Sequence, residues 1–318
     1  MAVVTGSSRS TGAAIARCLG EHGAHVVVNY VADAVAAEEV VQSIRSQGKG
    51  GSIAVCADTS TLQGGQHLLD EAVKTFGKID ILVLNAGIMG SKTLAEVDET
   101  FFDSHFDINV KAPLFMAKAA AALLPSRKSH VHPQKYQIKQ HALAGGRIIF
   151  FSSSLTAASS TYHRSLFELY SPNKSFCTGV TPNALCYLAT KGAIEQISRV
   201  LAKDLGARGI TVNTISPGPV DTPMFREGKP QNIIDSIARQ SPSRRLGEPD
   251  DIAPLVGFLA SQGAQWITGQ NIRVNGVRDL NKHPIQVSFA EEMVTLGICG
   301  LKRGISSFPG ILILCYIM

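Results

Sequence analysis

Two tyrosines in this chain are followed four residues later by a lysine: Tyr170 by Lys174, and Tyr187 by Lys191. On a helix, residues four apart share one face. A phenol is a poor proton-transfer group at neutral pH unless a nearby cation favours its charged form, and a lysine one turn on supplies that field. Pro172 falls inside the first pair, where it removes a backbone donor and breaks the helix that would align it. Tyr187 opens an amphipathic stretch, so proton transfer is assigned to Tyr187 and Lys191, with Tyr170 a decoy. Upstream, Ser152, Ser153 and Ser154 follow an apolar run. A hydroxyl there can donate to a carbonyl oxygen and stabilise developing charge. A serine run after a strand also reads as a plain turn.

A second cluster lies near the start. Thr5-Gly-Ser-Ser-Arg-Ser-Thr-Gly12 stands between a valine-rich run and an apolar-periodic one. Strand, glycine turn and helix in that order suit a dinucleotide: glycines admit the pyrophosphate, and the helix N-terminus offers free N–H groups. Gly6, Ser8, Arg9, Ser10, Thr11 and Gly12 are the candidates, the alternative being a tight connection. The next strand ends in Asn29 and Tyr30, with no acid before Asp33. An acid there would bind a ribose 2′-hydroxyl, whereas a 2′-phosphate needs a cation. Arg9 can provide one, so NADP(H) is the expected cofactor.

These groups need a scaffold. Strands at 2–5, 25–29, 52–57, 80–84, 147–151, 210–215 and 271–274 alternate with helices at 13–21, 34–47, 61–76, 98–124, 187–207 and 250–261. Continuous Val/Ile/Leu strands separated by helices predict an α/β fold, a Rossmann-type doubly wound parallel sheet of about seven strands covered on both faces. One domain is expected over 1–276. Three stretches lack any period: about 125–144, about 159–179, and an unassigned tail, 277–318.

The chain has 318 residues and a formal charge of +5. Arg127, Lys128, Lys135 and Lys139 carry most of the excess, with Tyr136 the lone aromatic among them. That is no nucleic-acid footprint, which interleaves cations with stacking rings. The longest apolar run, 311–318, is too short to span a bilayer, and the first residues carry no secretory leader. A cytoplasmic protein with no membrane partner is expected, the alternative being an organellar one whose targeting segment precedes this sequence. Cysteines 18, 56, 177, 186, 299 and 315 show no metal or disulfide spacing. His130, His132 and His141 have no carboxylate or thiol nearby in sequence, so no metal site is expected.

The glycine turn, Asp58, Asn85-Ala86-Gly87, Asn109, Ser153, Tyr187 with Lys191, Asn213 and Pro217-Gly218 occur in the order found in the short-chain dehydrogenase/reductase family, which this chain resembles over about 2–124, 145–158 and 181–276. The wording between the motifs looks most like plant NADPH-dependent aldehyde reductases and, more distantly, 3-oxoacyl-carrier-protein reductases. The resemblance implies reduction of an aldehyde or ketone by NADPH. Ser153 would polarise the carbonyl, Tyr187 protonate it, and Lys191 lower the tyrosine pKa and hold the nicotinamide ribose. It further implies that Asp58 meets the adenine and that Asn85, Ala86 and Gly87 line the nucleotide. Pro217, Gly218, Val220 and Thr222 would close over the nicotinamide, and 223–243 would touch substrate. Asn109 would hold a water beside Lys191, its alternative being a polar residue inside a helix. A homo-dimer or homo-tetramer through 107–124 and 187–206 is the family precedent.

Two departures stand out. Ser10 replaces the middle glycine of the family turn; if that position needs positive φ, serine costs about 1–2 kcal/mol. Ser153 and Tyr187 also lie much further apart than the family's spacing of about a dozen residues, although both must reach one carbonyl oxygen. They leave a rival expectation, a nucleotide-binding relative with impaired catalysis. The three unpatterned stretches are read as translated non-coding sequence, with true insertions as the alternative.

Overall fold

The computed structural model describes residues 1–126, 145–158 and 183–276. The three unpatterned stretches fall almost wholly outside these residues, as do Tyr170, Lys174 and the histidines at 130, 132 and 141. Seven strands form one parallel sheet in the order β3-β2-β1-β4-β5-β6-β7. They are β1 (Ala2–Val4), β2 (Val26–Tyr30), β3 (Ser52–Cys56), β4 (Ile81–Leu84), β5 (Arg147–Phe151), β6 (Thr211–Pro217) and β7 (Asn271–Val274). The expected fold class is the observed one.

Alternate residues of the strands enter two separate cores, which explains their uninterrupted apolar runs. Val4, Val26 and Val28 pack with Ile15 and Leu19 of α1 (Ser10–Glu21) and Val256 of α10 (Pro249–Ala260). Val3, Val27 and Ile148 point the other way, toward Leu68 and Leu69 of α3 (Leu62–Phe76), Ala117 of α5 (Ala112–Leu123) and Ile194 of α7 (Leu185–Gly206). Helix α2 (Ala34–Ser46) completes the first side through Val40 and Val41. Polar caps start the helices where the sequence turns: Asp33 accepts from the Ala36 N–H and Thr61 from the Gly64 N–H.

Three elements differ from the sequence reading. The helix expected over 98–124 is α4 (Glu99–Phe106), a π turn (Asp107–Lys111) and then α5. The π turn adds a residue to the helical circuit, and it brings Asn109 into the interior at 2 % exposure. Helix α7 begins at Leu185, so Tyr187 sits inside its first turn rather than opening it. Helix α1 begins at Ser10, three residues earlier than its apolar period. The short helices α6 (Leu155–Ala158), α8 (Pro223–Arg226) and α9 (Gln231–Arg239) complete the set.

Strand order reverses between β1 and β4. In a doubly wound sheet the crevice beyond the strand ends at such a point is where ligands bind, and both sequence clusters lead into it.

Candidate active site

The glycine turn follows β1. Gly6 has φ of 59°, a conformation that glycine adopts without penalty. Gly12 admits no side chain at all: a Cβ there would lie 2.2 Å from the Gly6 carbonyl oxygen and 2.8 Å from Asn85 Nδ2. The Asn85 amide donates to the carbonyls of Thr5 and Gly6 at 3.0 and 3.1 Å, and the Ala86 N–H donates to the Thr5 hydroxyl at 2.9 Å. Asn85 and Ala86 therefore bind the turn to the exit of β4.

Helix α1 has no acid in its first turn and no side-chain cap. Its free N–H groups and positive dipole end thus remain available to an anion. Ser8 and Thr11 are half-buried on this turn and Arg9 is exposed. Among the described residues no carboxylate pairs with Arg9. The cradle without side chains, the uncapped helix and the free guanidinium fit a dinucleotide phosphate.

Asn29 has a different task from the contact expected of it. Its buried amide accepts from the Gly6 N–H at 2.9 Å and donates to the Ala57 carbonyl at 2.9 Å, so it shapes the turn from behind. Tyr30 is half-buried at the end of β2. Asp58 is exposed beyond β3, where its carboxylate accepts from the Ser60 N–H and hydroxyl.

Ser10 has φ of 52°, so the position does require the left-handed conformation that the family's glycine supplies. Ser10→Gly is expected to remove the strain. After the unfolded-state entropy that glycine adds, the net gain is about 0.5–1 kcal/mol. Thermal melting should rise by about 1–4 °C, with tighter NADPH binding by fluorescence titration. A lower melting temperature would show that the serine hydroxyl contributes more than its backbone costs.

The proton-transfer groups gather at the ends of β4 and β5. Ser153 follows β5, with its hydroxyl near the Tyr187 phenol. Burial raises the phenol above its ordinary range, and the nearby Ser153 hydroxyl pulls it partly back. The expected depression by the lysine is not what dominates here. Lys191 Nζ lies 5.5 Å from the Tyr187 ring centre and donates to the Phe151 carbonyl at 2.9 Å. It is 6 % exposed, and loss of hydration lowers its pKa to about 8.

Asn109 accepts from the Ile88 N–H and donates to the Ile88 carbonyl, both at 2.9 Å, and donates to the Thr190 hydroxyl at 3.2 Å. A Cβ on Gly87 would stand 3.0 Å from Asn109 Oδ1 and 3.6 Å from Lys191 Nζ. Gly87 thus lets the β4 exit approach the lysine.

Pro217 ends β6. The Gly218 N–H donates to the Val274 carbonyl at 2.8 Å, and a Cβ on Gly218 would meet Asn275 at 2.7 Å. The Thr222 hydroxyl caps α8. A cavity of about 260 Å³ lies behind this loop against Gly218, Val220 and Arg245, and neither Ser153 nor Tyr187 lines it. The sequence reading passed over Thr156, Thr190 and Glu195, which together with Ser152 hold these groups in place. The only signal for Glu195 was its spacing, four residues beyond Lys191 on the same helical face.

A family model described as short chain dehydrogenase matches residues 1–186, and one described as enoyl-(acyl carrier protein) reductase matches 173–276. The chain belongs to the short-chain dehydrogenase/reductase family. It is 38 % identical to an NADPH-dependent aldehyde reductase-like protein, chloroplastic, of Arabidopsis thaliana, over 87 % of this chain and 93 % of the relative. Versicolorin reductase 1 of Aspergillus parasiticus is 35 % identical, over 87 % and 95 %.

Among solved structures, a blue fluorescent protein from a metagenomic library in complex with NADPH superposes with a TM-score of 0.70 at 30 % identity, covering 88 % of this chain and 97 % of that one. The landomycin C-6 ketoreductase LanV with bound NADP and rabelomycin gives 0.68 at 32 %, over 87 % and 95 %. This short-chain dehydrogenase/reductase is therefore an oxidoreductase built for a nicotinamide cofactor.

Proposed function

We propose that the protein reduces a small aldehyde or ketone with NADPH. The observation that carries this reading is the placing of the Ser153 hydroxyl near the Tyr187 phenol, with the Lys191 ammonium beside the ring. Two hydroxyls brought near one another from separate elements can both donate to a single carbonyl oxygen placed between them. When bound, NADPH supplies the hydride to the carbonyl carbon.

The chain's own groups handle the charge and the proton. Ser153 donates a hydrogen bond to the oxygen as negative charge grows on it, and Tyr187 transfers its phenolic proton to that oxygen. A phenol raised by burial stays protonated at neutral pH, as a proton donor must, and it remains far more acidic than the alcohol that forms. Lys191 then stabilises the phenolate. The glycine turn, the α1 N-terminus and Arg9 would hold the cofactor phosphates, and Gly87 gives room beside Lys191. The NADPH- and NADP-bound neighbours and the reductase relatives support the direction and the cofactor.

The test is NADPH oxidation by the purified full chain against a panel of small aldehydes, ketones and quinones. Turnover supports the reading, and NADPH binding with no turnover supports the impaired relative that Ser10 suggests. The same material tests cofactor choice. NADPH should bind more tightly than NADH, and Arg9→Ala should narrow the gap by about 1.5–3 kcal/mol, the worth of one charge-assisted contact. Equal dissociation constants in the unmodified protein would refute Arg9 as the discriminating cation.

A further inference from the structure

Ser153 lies in the turn between β5 and α6, and this turn is pinned from two sides. On one side the backbone N–H groups of Ser152 and Ser154 donate to the carbonyls of Ile215 and Pro217, at 2.8 and 2.9 Å. On the other side, hydroxyls placed before and after Ser153 converge on one atom. The Ser152 hydroxyl donates to Glu195 Oε1 at 2.8 Å and the Thr156 hydroxyl to the same oxygen at 2.6 Å. The Ser152 hydroxyl also lies 3.2 Å from the Lys191 carbonyl.

Glu195 stands on α7 one turn beyond Lys191 and two beyond Tyr187, which places all three on one side of the helix. Its side chain is 13 % exposed, and the Arg199 guanidinium lies 3.9 Å from its other oxygen. A carboxylate that accepts two hydroxyls makes charge-assisted bonds, shorter and stronger than those to a neutral acceptor. Nothing in the proton-transfer steps uses this carboxylate, yet it is the one side chain of α7 that grips both flanks of the Ser153 turn among the described residues.

We infer that Glu195 is a positioning residue: its carboxylate clamps the Ser153 turn onto α7, the helix that carries Tyr187 and Lys191. The inference rests on the proposed reading of Ser153 and Tyr187 as the pair that addresses the substrate oxygen. A clamp of this kind acts only through Ser153, and that sets the experiment.

Glu195→Ala should lower kcat by about tenfold or more while the NADPH dissociation constant stays within about twofold. Glu195→Gln, which keeps an acceptor oxygen, should recover most of the loss. In a Ser153→Ala background, Glu195→Ala should cause no further loss, because the group it positions is already gone. An unchanged kcat, or a loss that simply multiplies with that of Ser153→Ala, overturns the inference.

A second measurement needs neither substrate nor cofactor. The Tyr187 phenol can be titrated by near-ultraviolet absorbance, as the difference between each variant and its Tyr187→Phe counterpart. Glu195→Ala should raise the midpoint in the same direction as Ser153→Ala, since both withdraw the Ser153 hydroxyl that favours ionisation. An unmoved midpoint overturns the clamp. If Glu195→Ala does not fold, Ser152→Ala combined with Thr156→Val removes the same two bonds from the other side, and the same comparisons apply. Should the unmodified protein reduce no carbonyl compound, the functional reading fails while the titration still decides the role of Glu195.

Discussion

Tyr187→Phe is expected to lower kcat for carbonyl reduction by about 10²- to 10⁴-fold while NADPH binding stays nearly unchanged. The substitution removes one oxygen and keeps the ring, so the packing of α7 against the sheet is preserved. What is lost is the only proton that the Ser153–Tyr187 pair can give to the nascent alkoxide. Ser153 keeps its hydroxyl and can still polarise the carbonyl, so a residual rate above the uncatalysed one is expected. Tyr170→Phe should leave kcat unchanged, since Pro172 denies that tyrosine an aligned lysine. Steady-state kinetics of both variants, with cofactor affinity measured separately, decide the matter. An inactive Tyr170→Phe beside an active Tyr187→Phe would reverse the assignment.

Lys191→Met should make the protein less active and more stable. A lysine whose pKa falls from 10.5 to about 8 on folding destabilises the native state at every pH below its unfolded value, most of all where the native state must carry the charge. Below pH ~8 both states are protonated, and the buried ammonium costs on the order of 3 kcal/mol. The cost shrinks as pH rises through the folded value and is gone above the unfolded one. Methionine avoids the charge but leaves the Phe151 carbonyl without its donor, a loss of about 1 kcal/mol. The net gain at neutral pH is therefore about 1–2 kcal/mol. Denaturant melts at pH 7 and pH 10 should show the unmodified protein gaining on the variant as pH rises. Activity should fall by about 10²-fold or more, because the cation that favours phenolate is absent. A variant that is both less stable at pH 7 and flat in its pH comparison would show that the ammonium is held without penalty.

The strands and the helix faces were legible because both depend on local apolar patterning. Val26, Val27 and Val28 alternate between two cores, and a run that is apolar at every position says so directly. The glycine turn was legible too, because Gly12 and Gly6 leave few other ways to fold, but whether Ser10 takes a positive φ was left open until the backbone showed it. What the pattern could not show was side-chain allegiance over long sequence separation. Asn29 looked like a cofactor contact from its place at the strand end, yet its amide spends its bonds on Gly6 and Ala57. The π turn escaped notice because Asp107–Lys111 has an ordinary helical composition. Glu195 was invisible for a related reason. A glutamate on a long helix is usually solvated, and only the arrival of Ser152 and Thr156 from another element gives it a task.

The Gly146 N–H donates to the Pro125 carbonyl at 3.0 Å, and Arg208 donates to the Ser126 hydroxyl and the Leu124 carbonyl just beside them. The two described chain ends at 126 and 145 are therefore fastened side by side. Between two ends held this close, lengthening a flexible connection costs only the entropy of closing a loop, about 0.6 kcal/mol for each doubling. Selection acting on folding is nearly blind to added residues at this point. The same number placed between Gly6 and Gly12 would destroy the turn outright. Tolerance of extra sequence in this fold is thus governed by which neighbouring chain ends hydrogen-bond to one another, and a long addition can accumulate at such a place without the core registering it.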